Sequence, residues 1–522
     1  MSPAPGGLLR SVGAVLAADL RQRLRAPRTW VVMAGLAALM WWCFPALETH
    51  YLTVSIDGMR GRYSSAWIGM IEGLIYSMTL SLFGFFLVRG TLVRDFETRA
   101  WQLLVATTMS RGAYLFAKWL SHMLLFAMVI AGGLAIGLVL QFVRAEDRHL
   151  DLVELLKPIV VITLPSLALT ATLAVWFDMI PWLRRSAGNV VFFALWIYLL
   201  TLGTTQAPHE RGAPMPWPGD PHGMLLAEYE LDGHWPVPAP DNEERGVNMG
   251  VHRMPQSAVL VDWTHWDVGA AALGTRAFWL GAALTLLALA VPLLDRCASH
   301  LGTLGRAASS GWRLRWLDWL LAPLERWGSG ALVAAELRLV LRGRRWWWWL
   351  ALVGLFGMQA FADPKGMSIA VILSWILFID VFARLVLREQ ETRTGGLVFT
   401  AASARLKLPV ARAVVSIGLA WAVTLPAMLR MALSEPVVAL ATLAVGASLA
   451  LWGMAIGALS RNGRPYELLM LVVGYGGMQG AAMINVIVSP EVTLRWHLIG
   501  LPIALIAILA VGFMPHREES SS

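Results

Sequence analysis

Long apolar runs separated by short charged stretches set the pattern of this chain. A membrane crossing needs roughly 20 apolar residues, and candidate spans fall near 29–47, 68–92, 113–142, 157–177, 189–206 and 271–295. Six more follow near 345–361, 367–387, 411–431, 436–460, 466–488 and 497–515. Before the first run, Leu8, Val12, Val15, Leu16, Leu20 and Leu24 recur at helical spacing, and Arg10, Asp19, Arg21 and Arg25 fill much of the remainder. This predicts an amphipathic helix over 7–25, too charged to span and lying in the cytoplasmic interface. The other reading is an ordinary charged helix leading into the first span.

Composition strengthens the picture. Hydrophobic residues make up 57% of the 522 and charged residues only 15%, where soluble domains carry about 25% charged residues. The expected fold class is an all-α integral membrane protein with about 12 transmembrane helices. The net charge of +8 comes mostly from arginine, which in a membrane chain marks cytoplasmic loops, not nucleic-acid binding. Loop 296–344 alone holds Arg296, Arg306, Arg313, Arg315, Arg326, Arg338, Arg342 and Arg344, whereas short loops on the other side hold Lys365 and Arg495, and in loop 143–156 Arg144 and Arg148 are outweighed by Glu146, Asp147, Asp151 and Glu154. The bias predicts both termini in the cytoplasm, in a bacterial-type inner membrane. Nothing at the N-terminus reads as a cleaved signal peptide.

Two stretches match across the chain. Arg94–Arg111, RDFETRAWQLLVATTMSR, aligns with Arg388–Arg405, REQETRTGGLVFTAASAR, at an offset of 294. Arg94, Glu97, Thr98, Arg99, Leu103 and Arg111 then fall on Arg388, Glu391, Thr392, Arg393, Leu397 and Arg405, and Asp95 falls on Glu389. At an offset of 317, Asp19, Leu20, Arg21, Leu24, Arg25, Arg28 and Trp30 fall on Glu336, Leu337, Arg338, Leu341, Arg342, Arg345 and Trp347. Two landmarks in the same order predict a duplicated six-span unit, with both copies in one orientation. The expected division is 1–300 as the first unit, 301–344 as a basic linker with a second amphipathic helix, and 345–522 as the second unit.

Segment 207–270 has no long counterpart. It holds nine prolines, ten carboxylates and three arginines, and is expected as a partly folded extracytoplasmic cap anchored at the headgroups by Trp235, Trp263 and Trp266. Its histidines, His209, His222, His234, His252 and His265, form no HExxH and no convincing i, i+4 pair, so no metal site is assigned. Cys43 and Cys297 form no CxxC.

The paired loops carry the functional expectation. Charged residues at a span's end are common topology anchors, but two copies of one Glu-Thr-Arg core at the same place favour docking of a soluble partner. Leu103, Leu104 and Val105, like Leu397, Val398 and Phe399, supply an apolar knob, and the charges around them fix orientation. No GxxxxGK[ST] phosphate loop is present: the four lysines, Lys118, Lys157, Lys365 and Lys407, never follow a glycine. Any ATP chemistry would belong to another subunit.

An amphipathic basic helix, a first and second span, a charged loop with a short helix and four more spans resemble an ABC transporter permease of the type-2 exporter class. Thr107–Leu120, TTMSRGAYLFAKWL, is similar to that family's segment after its coupling helix in Ser110, Arg111, Tyr114 and Lys118, but lacks its proline. In the second half Arg405 and Leu408 keep part of the pattern. The resemblance implies elbow helices at 7–25 and about 328–343, coupling helices at about 97–108 and 391–402, and two copies of a separate ABC-type ATP-binding subunit that binds ATP and Mg. It implies no cofactor and no catalytic residue in this chain. The expected activity is export of an amphiphilic substrate such as a lipid, a peptide or a hydrophobic small molecule.

Polar residues inside spans are hypotheses for function. Asp380 stands four residues before Arg384, so an i, i+4 ion pair is expected. Glu72 has no obvious local partner, and Asn485 reads as a helix–helix tether. Trp346–Trp349 reads as an interfacial belt, and Gly474, Gly476, Gly477 and Gly480 permit close helix contact, expected where the halves meet. Rival readings are an ion-coupled secondary transporter, a membrane-embedded lipid-acting enzyme, and a regulator that borrows the permease fold.

Overall fold

The computed structural model describes the chain except residues 1–4, 26–28, 31–32, 34–39, 42, 46–50, 57–58, 99–108, 145, 185, 207–213, 233–246, 254–259, 295–314, 327, 329, 343, 345, 393, 399, 401–402, 479–482 and 513–522. It divides into two compact units, Met1–Gly305 and Arg306–Ser522. The second amphipathic helix falls in unit 2.

Both units are mainly helical. Among the described residues seven helices are long and apolar enough to cross a membrane, or eight if Lys407–Ala422 and Leu425–Met431, bent by 60°, form one span. Two further predicted spans are shorter apolar helices, Gly188–Gly203 and Trp347–Phe361. The predicted first span, 29–47, lies largely outside the described residues.

Unit 1 opens with α1 (Pro5–Leu24), matching the predicted amphipathic helix. A helical run over Ser65–Phe96 comprises α2 (Ser65–Ile75), a π-turn (Tyr76–Leu80), α3 (Ser81–Val88) and α4 (Thr91–Glu97). Then come α5 (Arg111–Arg144), α6 (Leu152–Pro158), a second π-turn (Ile159–Thr163), α7 (Leu164–Met179), α8 (Ser186–Gln206), α9 (Met224–Asp232) and α10 (Ala270–Ala290). Helix α2 packs on α6 because glycine removes the side chain at the crossing. A Cβ at Gly73 would stand 3.3 Å from the backbone of Pro158, and one at Gly69 would collide with the carbonyl of Leu155.

Short strands sit at one end of this bundle, and the apolar pattern gave no sign of them. β1 (Tyr51–Ile56) pairs antiparallel with β3 (Val247–Arg253), with Val54 opposite Met249 and Ile56 opposite Val247. β2 (Arg60–Gly61) runs parallel to β4 (Leu260–Val261). The described parts of the loop after the first predicted span and of segment 207–270 are therefore joined as one cap. Acidic residues lock it: Glu146 takes both guanidinium nitrogens of Arg60, at 2.9 and 3.1 Å, and Glu154 accepts from the Trp266 amide at 3.0 Å. Trp263 and Trp266 do not sit at headgroups. They are 2% and 1% exposed, and Trp263 stands edge-on to Trp67 at 6.2 Å. Burying large rings inside the cap supplies more apolar area than an interfacial position. Trp235 lies outside the described residues.

Unit 2 runs through α11 (Arg315–Glu325), α12 (Gly330–Arg342), α13 (Trp346–Phe361), α14 (Pro364–Leu377), α15 (Ile379–Arg384), α16 (Arg388–Thr392) and α17 (Gly395–Val398). It continues through α18 (Ala404–Ala422), α19 (Leu425–Met431), α20 (Pro436–Ser460), α21 (Arg464–Met478) and α22 (Pro490–Gly512). Helix α12 realises the predicted second amphipathic helix. Trp348 is buried, its indole N–H 3.4 Å from the Leu377 carbonyl and its ring against Phe378, so the tryptophan run is partly core. Gly474 and Gly477 meet Ile376 and Ile372 of α14: the close contact they permit is made inside unit 2.

Candidate functional site: a buried charge cluster at each loop

In unit 1 the centre is Asp19 of α1, 3% exposed. Its carboxylate accepts from Lys118 Nζ at 2.8 Å and Ser121 Oγ at 2.9 Å, both on α5, and from Arg23 at 3.4 Å. Arg94, in the charged loop, reaches it at 3.5 Å. Lys118 also pairs with Asp95 at 2.7 Å, and Tyr114 donates its hydroxyl to Asp95 at 2.7 Å. One network thus ties the amphipathic helix, the head of the loop and the following span. Burial raises the Asp19 carboxyl, but Lys118 and Arg23 outweigh it and hold the pKa down at about 2.

Unit 2 repeats the arrangement. Glu336 of α12 accepts from Arg388 at 2.6 Å and from Arg412 Nε at 3.3 Å. Arg412, on α18, also donates through both terminal nitrogens to Glu389, one of them at 2.8 Å. Glu336, Glu389 and Arg412 are all buried. Burial raises the Glu389 carboxyl, and the hydrogen bonds and charge of Arg412 carry it below the usual carboxylate range. Asp19, Arg94, Asp95 and Lys118 thus correspond in role to Glu336, Arg388, Glu389 and Arg412. The last three pairs share the offset of 294.

The sequence motif singles out Lys118 but not Arg412, although a cation stands at the same offset from each charged stretch. Asp19, expected on a helix lying in the interface, is buried. A carboxylate enters an apolar contact only where cations meet it, and that requirement shows only once Lys118 and Arg94 are placed beside it.

The loops leave these clusters exposed. Thr98 and Thr392 are exposed, and each donates its hydroxyl back to the carbonyl four residues earlier, to Arg94 at 2.9 Å and Arg388 at 2.8 Å. Leu397 is 79% exposed on the four-residue α17, and Arg111 is exposed at the start of α5. Glu97 closes α4, Glu391 lies in α16 and Arg405 lies in the first turn of α18. Arg99, Leu103, Arg393 and nearly all of the first predicted coupling helix lie outside the described residues. The second is not one continuous helix over 391–402: α16 ends at Thr392, Thr394 is non-helical, and the short α17 begins only at Gly395. Asp178, at the end of α7, fixes the loop's entry by accepting from the amides of Gly90 at 2.8 Å and Leu92 at 3.2 Å.

The intramembrane polar residues fall out differently from expectation. Asp380 pairs with Arg344 at 2.8 Å, not with Arg384, which bonds Glu467 at 3.2 Å. Arg344, in the connection between α12 and α13, and Glu467 of α21 offered better geometry than one turn of α15. Asn485 lies beyond α21, in the turn before α22, where it donates to the Gly477 carbonyl at 2.9 Å and accepts from Ser368 at 3.0 Å. Glu72 is fully buried, and both its carboxyl oxygens are without a hydrogen-bond partner among the described residues.

Among the described residues no group of three metal-ligating side chains occurs. His265 contacts Glu154 at 2.8 Å and Asp267 at 3.1 Å. Comparison with family models, with curated proteins and with solved structures finds no match.

Proposed function

We propose that this chain is the membrane permease of an ATP-driven exporter of the type-2 ABC class, with two six-span units of one orientation fused in tandem in a bacterial-type inner membrane. Two copies of a separate ATP-binding subunit dock on the loops at 94–111 and 388–405, and their closure on ATP moves the units to pass an amphiphilic substrate. The observation that carries this reading is the repeated charge cluster. A push on either loop acts on Arg94 and Asp95, or on Arg388 and Glu389. Those residues are bonded to both an amphipathic helix and the next long helix, so the force reaches all three elements together.

The chain itself performs no chemistry in this reading. Its loops present exposed threonines, arginines and Leu397 to the motor, and the buried clusters keep each loop rigid against the bundle. Affinity purification in mild detergent tests the proposal. A nucleotide-binding subunit is expected to co-purify, and Glu97→Arg combined with Glu391→Arg is expected to release it. Recovery of the intact chain alone, with no ATPase in any mild detergent, would sink the reading.

One observation favours a second reading, ion-coupled secondary transport. Glu72 is a buried acid inside a span with no hydrogen-bond partner among the described residues, the kind of group that ion coupling uses. Proton or sodium flux in proteoliposomes that disappears in Glu72→Gln, without any ATPase present, would favour it. Asp380 does not support this reading, because Arg344 neutralises it.

A further inference from the structure

Within unit 1 the cap sends a buried segment down between the long helices. Residues 219–223 are buried, and Asp220 and His222 are 1% and 3% exposed. Arg276 of α10 donates to the carbonyls of Asp220 at 2.5 Å and Pro221 at 3.4 Å, and Trp279 donates to that of Pro218 at 3.2 Å. His222 Nδ1 lies 2.9 Å from the Ser77 carbonyl and 3.0 Å from Ser166 Oγ, while Ser77 Oγ donates to the His222 carbonyl at 2.5 Å. Ser77 lies twelve residues into its helical run, roughly 18 Å along it at 1.5 Å per residue. The histidine thus reaches the depth of a span's middle.

The receiving site is the first π-turn, Tyr76–Leu80. A π-turn frees carbonyls from the helical ladder, and within a bilayer each needs a donor. Ser77's carbonyl is bonded by Ser81 Oγ and by Ser166 Oγ, the latter at 3.1 Å, as well as facing His222. It therefore keeps two donors if His222 leaves. The inserted histidine, in contrast, has Nε2 buried with no hydrogen-bond partner among the described residues, a desolvation cost that withdrawal removes. Gly219 (φ +70°) and Gly223 (φ +78°) bound the tip in the left-handed region, and both can change conformation at little steric cost.

We propose that Pro218–Gly223 is a retractable plug that closes the strand-bearing end of unit 1, latched by His222 on the π-turn and withdrawn when a passage opens. This rests on the chain being a transporter, but not on which energy source drives it. Ile162 packs directly against the plug: a Cβ on Gly223 would stand 2.8 Å from it, and it is 0% exposed.

Ile162→Cys, in a background with Cys43→Ala and Cys297→Ala, is the reporter. A membrane-impermeant trimethylammonium methanethiosulfonate is added from the side carrying β1 and β3. Labelling is expected to be slow with His222 present and at least tenfold faster in His222→Ala. His222→Gln, which keeps a donor for the Ser77 carbonyl, is expected to restore much of the protection. Equal rates in folded His222 and His222→Ala proteins would overturn the proposal. If the alanine variant does not accumulate, a Gly203→Cys/Asp220→Cys cross-link decides, since a Cβ at 203 would lie 3.4 Å from that of Asp220. Labelling at position 162, read on its own peptide, must be at least tenfold slower in oxidised than in reduced protein, and equal rates there again overturn the plug. Faster labelling on loss of the latch with no ATPase captured would retain the plug and remove the motor.

Discussion

Lys118 stands 2.8 Å from Asp19, and Arg412 stands 3.3 Å from Glu336, each pair joining a buried acid on an amphipathic helix to a buried cation on a long helix. In each case the cation's second partner is an acid at the head of a charged loop, Asp95 or Glu389. The mechanical proposal depends on these links, and they make the first test.

Removing one charge leaves the rest buried and uncompensated. Lys118→Met is expected to cost about 3–5 kcal/mol, seen as a lower melting temperature in detergent. Asp19→Asn/Lys118→Met is expected to lose less than the sum of the single variants, a coupling that a double-mutant cycle measures. Arg412→Met with Glu389→Gln is the parallel experiment in unit 2.

Acid should weaken unit 1 through Asp19. Its folded pKa, about 2, lies below its ordinary value of 3.8, so the carboxylate's contribution is complete above about pH 4 and is lost as pH falls toward 2. Melting curves of the native chain and Asp19→Asn should converge across that window, the native chain losing more. Parallel curves would show that Asp19 is not held as a carboxylate.

Leu397 is exposed and contributes little to folding. Leu397→Asp is expected to change stability by less than about 0.5 kcal/mol while reducing ATPase capture several-fold in a pull-down. A large fall in melting temperature would mean that the residue packs against the protein and is not a docking knob.

The cap makes a cross-link prediction. Val54 and Met249 face each other across β1 and β3, so Val54→Cys/Met249→Cys is expected to form a disulfide in air. A protease site placed between the two positions then releases no separate fragments without reductant.

What the sequence made legible was local or repeated. Helical spacing at Leu8 to Leu24 located α1, and the repeated Glu-Thr-Arg core located both loops. Long-range choices were not legible. Asp380 had a cation one turn away in Arg384, but Arg344, in the connection between α12 and α13, takes it, and spacing along one helix carries no information about its neighbours. Trp263 and Trp266 looked interfacial because aromatic residues are common there, whereas the paired strands place them inside the cap. Those strands escaped notice because Tyr51–Ile56 and Val247–Arg253 each lack a neighbouring hairpin partner. The π-turns at Tyr76 and Ile159 left no mark on apolar periodicity, and so the site of His222 stayed hidden.

The β1–β3 pairing bears on how the protein is made. Roughly 190 residues separate the end of β1 from the start of β3, which at 5–20 residues per second means a delay of roughly 10–40 s between them on the ribosome. Throughout that interval Tyr51–Ile56 is an unmated strand with an open edge, able to pair with the wrong chain. Until β3 arrives, this first loop is an edge that a guardian at the membrane surface would have to shield.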